Sequence, residues 1–112
     1  MPVSTDDRSG TIARFRRAVN MRPDELADWL ETDASKAVGD KSGGGESIGH
    51  ASGRRIVDLL WTDADDYTAA DLAHMRRVAG YVARHTAQRP AGDVTDSRWR
   101  HSLMNWGHDP LK

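Results

Sequence analysis

The sequence predicts an all-α fold: a single small bundle of four or five helices, with a long central helix over about 68–89 and a docked C-terminal helix. Three observations predict it. Apolar residues recur at helical spacing in five segments, no segment alternates as a strand, and proline, glycine and capping residues punctuate the segments where helices start and stop. The 112 residues suit one domain. The expected organisation is a polar, disordered N-terminus at 1–10 and one helical domain over 11–112, with a flexible glycine-rich loop at about 33–46.

The elements follow in order. Ile12, Phe15 and Val19 have helical spacing, with Arg14, Arg16 and Arg17 on the other sides. Pro23 fits the first turn of a second helix, whose core face is Leu26, Trp29 and Leu30 and which stops near Thr32. Asp24 and Glu25 suit its positive N-terminal end. Residues 33–46 show no apolar period and hold three consecutive glycines, which predicts a mobile loop. Ser47 caps a third helix from Ile48 to about Trp61, with Ile48, Ile56, Leu59 and Leu60 on one side. Gly49 and Gly53 fall toward that side. Each costs about 1 kcal/mol against alanine, so close approach of another helix or of a ligand backbone is expected there.

Thr68 and Asp71 form an approximate capping box for the long helix, and Pro90 stops it. At 100° per residue this helix has two faces. Leu72, Met75, Ala79 and Val82 make an apolar stripe; His74, Arg77, Tyr81, Arg84 and Gln88 make a polar one. Between His74 and Arg89 there are four arginines, two histidines and no acid. Asp96 or Ser97 caps a last helix carrying Trp99, Leu103 and Trp106, with Gly107 as its C-terminal cap and Pro110 as a stop.

Composition narrows the function classes. The net charge is -1, so a strongly basic general nucleic-acid binder is disfavoured. Cysteine is absent, which removes disulfides and thiolate metal sites and fits a cytoplasmic protein. No apolar run approaches the roughly 20 residues of a membrane span, and Asp6 and Asp7 do not suit a signal peptide. No membrane partner is expected. KSGGGESIG does not match the phosphate-loop pattern, and no strand precedes it. His50, His74, His85, His101 and His108 show no metal-ligand spacing, and no serine sits in a nucleophile elbow. No enzyme activity, cofactor, metal or small-molecule substrate is expected.

The polar stripe has two readings. Its arginines contact phosphate with Tyr81 stacking or hydrogen-bonding beside them. Alternatively the face is solvated or covered by the C-terminal segment, with Trp99 or Trp106 over an arginine in a cation–π contact of about 0.5–2 kcal/mol. Core packing is the default for all four tryptophans, Trp29, Trp61, Trp99 and Trp106.

Three blocks, GGGESIGHASGRRIVDLL (43–60), DLAHMRRVAGYVARHTAQRP (71–90) and SRWRHSLMNWGHDPLK (97–112), follow NMRPDELADWL (20–30). Together they resemble a family of small bacterial proteins, with fungal relatives, classified as a domain of unknown function. The likeness runs from about Phe15 onward. Some members are labelled DNA-binding, and DNA is the partner that the resemblance implies. The chain departs from the family pattern at Arg22, in place of a capping threonine, and at Thr86, in place of an apolar residue.

The combined reading is a weak, sequence-independent nucleic-acid-binding accessory protein, with Arg54, Arg55, Arg77, Arg84, Arg98 and Arg100 on phosphates. The alternative is a protein-interaction or structural module, with a homodimer as one form of it, that presents a tryptophan-rich surface.

Overall fold

The computed structural model describes residues 5–38 and 46–112. Six α-helices occur among them: α1 (Thr5–Ala18), α2 (Pro23–Leu30), α3 (Asp33–Ala37), α4 (Ile48–Trp61), α5 (Ala69–Thr86) and α6 (Arg98–Asn105). A single 3-10 turn, Ala64–Asp66, leads into α5. The all-α class is as predicted; the six helices exceed the expected four or five, and α3 is the one that was not expected.

Local chemistry sets most of the helix starts. The Ser47 hydroxyl accepts the His50 N–H, and the Ser97 hydroxyl accepts the Arg100 N–H. Thr68 and Asp71 close a reciprocal capping box at 3.1 and 3.0 Å. At α2, Pro23 occupies the first turn and the Glu25 carboxylate accepts the Arg22 N–H, so the helix starts without a side-chain cap from residue 22. Gly107, at φ +80°, ends α6 in a Schellman motif: His108 N–H donates to Leu103 and Gly107 N–H to Met104.

Three boundaries differ from expectation. Residues 5–10, expected to be disordered, are helical, and α1 begins at Thr5; residues 1–4 lie outside the described residues. Arg8 ties this first part of α1 to the carbonyls of Ala64 and Tyr67. Within the expected loop, Asp33–Ala37 forms α3, capped by Thr32 and anchored by buried Ser35; the glycines at 43–45 lie outside the described residues. α5 ends at Thr86 rather than near 89. There the Thr86 hydroxyl bonds back to the Val82 and Ala83 carbonyls, and the Trp99 indole takes the His85 carbonyl.

The core is one cluster. Phe15, Leu26, Ile56, Met75, Val78 and Leu103 are fully buried at its centre. α1 runs alongside α5, while α2 packs on α4 and α6. Val78 joins the predicted α5 stripe, and Ala79 is only half-buried. Both α4 glycines sit at close approaches, as their placement predicted. A Cβ at Gly53 would lie 2.5 Å from the Asn105 carbonyl oxygen, and one at Gly49 would lie 3.0 Å from Trp106 Nε1. Asn105, buried below them, accepts the Trp29 indole N–H and the Ser35 hydroxyl and donates to the Ser35 carbonyl. This amide joins α2, α3 and α6.

Candidate anion-binding groove

The polar stripe of α5 is half covered. Trp106 closes onto it from the end of α6. Its ring lies 4.2 Å from that of Tyr81, nearly parallel, and 6.3 Å from His74 on the other side. Tyr81 in turn stacks on His85 at 3.9 Å, and its hydroxyl meets Ser102 at 2.6 Å. The aromatic column is therefore His74, Trp106, Tyr81, His85, with one foreign ring inserted among three from α5. The cation–π contact expected at Trp99 or Trp106 forms at Trp99: Arg89 lies over its ring at 5.6 Å.

A groove with two lobes flanks this column. The first lobe is a cavity of about 240 Å³; Ile48 and Gly49 from α4, Arg77, Tyr81 and Arg84 from α5, and Ser102 and Trp106 from α6 line it. The second, of about 450 Å³, shares Ile48, Arg77 and Trp106 and adds Ser52, Arg55 and His74. Ile48, expected in the core, is 46% exposed and forms the groove's apolar lip.

Electrostatics at the groove favour an anion. Arg77 and Arg84 make no ion pair among the described residues, and both are exposed. Arg55 shares its charge with Asp71 at 3.1 Å. Burial, and then the charges of Arg55 and Arg77, push the His74 imidazole below its ordinary range; Asp71 and the Ser52 contact oppose that shift only in part. Burial and Arg84 do the same at His85. The groove is thus positive from arginine alone.

The six arginines singled out from sequence separate by role. Arg77 and Arg84 meet on the first lobe, and Arg55 lines the second. Arg54 is held by Glu46 through two hydrogen bonds, and Arg98 is exposed at the start of α6. Arg100 serves the fold: it forks onto Asp109 at 3.1 and 3.0 Å and donates to the Thr95 carbonyl. Burial alone would raise the Asp109 carboxyl, yet Arg100 and the Leu111 N–H hold it below its usual range.

The sequence reading missed Ile48, Gly49, Ser102 and Trp106 as groove residues. The two helical glycines were the available signal, since they marked where α6 would come close. The tryptophans do not form one surface. Trp29 and Trp99 are half-buried and donate their indole N–H groups within the fold, Trp106 is buried, and Trp61 alone is 70% exposed. Among the described residues no three histidine, aspartate or glutamate side chains are placed to hold a metal, and no helix is long and apolar enough to cross a membrane.

A family model described as "Protein of unknown function (DUF3140)" matches residues 14–104. The chain belongs to the DUF3140 family. The match takes in every groove residue except Trp106, which lies two residues beyond it. No curated protein and no solved structure matches this DUF3140 chain.

Proposed function

We propose that this protein is a weak, sequence-independent nucleic-acid-binding accessory protein of the cytoplasm, a binding protein rather than an enzyme. One observation carries the reading: Arg77 and Arg84, neither ion-paired among the described residues, stand together on a groove walled by stacked aromatic rings. Arginine forks match phosphate oxygens, and phosphate contacts carry no sequence information. The distribution of charge supports it. α5 beyond Asp71 and the whole of α6 hold no acid, whereas α2, the segment after it and the 3-10 turn hold Asp24, Glu25, Asp28, Glu31, Asp33, Asp65 and Asp66. A net charge of -1 is therefore compatible with a local basic face. The DNA-binding label given to some members of the family that the sequence resembles points the same way.

The test is an anisotropy titration with generic duplex DNA at about 50 and 200 mM salt. The expected result is binding with a dissociation constant of roughly 10⁻⁴–10⁻⁶ M that weakens with salt and is indifferent to sequence. No binding at the lower salt overturns the reading. The rival reading, a protein-interaction module or homodimer, is favoured by one observation, the 70% exposure of Trp61. A strict monomer by light scattering at high concentration removes its homodimeric form.

A further inference from the structure

We propose that the first lobe of the groove is a discrete seat for one phosphate group, held by the guanidiniums of Arg77 and Arg84 and the indole N–H of Trp106. The inference rests on the nucleic-acid reading only for where that phosphate comes from.

Trp106 supplies the decisive observation. The residue is 4% exposed, and a tryptophan buried so far normally donates its N–H to a partner. Trp29 and Trp99 do so, to Asn105 and to the His85 carbonyl. Trp106 Nε1 has no acceptor among the described residues. No side-chain nitrogen or oxygen sealed from solvent there lacks a partner. The unpartnered N–H therefore opens on the groove that the ring lines. Gly49 keeps it open: a Cβ at that position would stand 3.0 Å from Nε1.

Three further features select an oxyanion. Arg77 and Arg84 bring two charges with forked donors to the same cavity. The first turn of α4, a 14-residue helix, borders it through Ile48 and Gly49, so the positive end of the helix dipole adds to them. Glu46, the acid just before that helix, is already engaged by Arg54 and His50. The cavity's volume of about 240 Å³ falls below the roughly 300–1,000 Å³ typical of drug-sized ligand pockets, which suits a single small group.

The experiment follows the four indole N–H resonances of ¹⁵N-labelled protein during titration with inorganic phosphate, against sodium chloride at matched ionic strength. Trp106→Phe assigns its resonance. The expected result is a saturable displacement of the Trp106 resonance by phosphate and not by chloride, weakened about tenfold or more in Arg77→Gln, an exposed change that leaves the core intact. A static Trp106 resonance, a common drift of all four, or an Arg77→Gln protein that binds as before overturns the seat.

Duplex DNA and adenosine 5′-monophosphate then identify the source. If duplex also displaces the Trp106 resonance, the seat takes backbone phosphate. If only the two small phosphates do, the seat stands and the nucleic-acid reading falls. If duplex binds by anisotropy while none of the three moves Trp106, the nucleic-acid reading stands and the seat falls.

Discussion

Trp106 lies flat against Tyr81, ring centroids 4.2 Å apart and planes 12° from parallel. This contact decides what the polar face of α5 is. The C-terminal segment covers the aromatic residues of the stripe and leaves its arginines outside. Arg77 and Arg84 stay exposed at the rim, while Tyr81 and His74 sit half-buried beside the indole. One helix face therefore both seats the tail and presents a basic edge.

Removing that indole should be expensive. Trp106→Ala deletes a buried ring and its stack on Tyr81, so we expect a loss of about 3–5 kcal/mol in chemical denaturation. Trp106→Phe keeps a ring on Tyr81 and abandons no internal hydrogen bond, so it should cost clearly less. An unchanged melting temperature for Trp106→Ala contradicts the docking of the C-terminal segment.

Gly53→Ala tests the approach of α4 to α6. Helix propensity alone favours the alanine by about 1 kcal/mol. Its Cβ, however, would meet the Asn105 carbonyl oxygen at 2.5 Å and Leu30 Cδ2 at 2.7 Å. Backbone cannot swing aside as a side chain can, so the overpacking penalty, typically about 1–3 kcal/mol and at its upper end for a backbone clash, should outweigh that gain and leave a net destabilisation. A stabilised variant contradicts the close packing.

Asn105→Leu probes the amide that joins three helices. It strands the Trp29 indole N–H and the buried Ser35 hydroxyl and carbonyl, each of which now meets that side chain. A loss of at least about 1–3 kcal/mol is expected, the penalty of one unpaired buried group. The Trp29 fluorescence should also change as its environment opens. A variant as stable as the parent removes Asn105 from the account.

Acid should destabilise the fold in two stages. His74 and His85 are held below the ordinary value of 6.5 when folded. Their contribution is therefore complete above about pH 6.5 and is lost as pH falls through the lowered values. Glu25, Glu46, Asp71 and Asp109 are held below 4.5 or 3.8, so their contribution is present above those values and is lost at still lower pH. Urea midpoints should fall from pH 7.5 to 5.5, and His74→Gln should reduce that fall. A midpoint that rises over this range contradicts the burial of His74 among Arg55, Asp71 and Arg77.

The fold was legible where its causes are local. Ser47, Thr68 and Ser97 cap their helices because a hydroxyl three residues before an N–H is enough. Gly107 ends α6 because φ +80° suits glycine. α3 was not legible: five residues have no period to read, and its anchor is Ser35 meeting Asn105, seventy positions away. Ile48 has the spacing of a core residue but is exposed in the first turn of α4, where it lines the groove. The site was half legible. Periodicity put Arg77 and Arg84 on one face, but ion pairing sorted the six arginines, and the partners Glu46, Asp71 and Asp109 lie eight, sixteen and nine residues away from theirs.

The central claim is that Arg77 and Arg84 form the phosphate-contacting edge of α5. Its most direct measurement is the salt dependence of duplex DNA affinity for the parent protein and for Arg77→Gln/Arg84→Gln. Each phosphate contact contributes about 0.9 to the slope of log affinity against log salt. The account predicts that the double variant binds more weakly at low salt and that its slope is shallower by about 2. Equal affinities and equal slopes for the two proteins would contradict it.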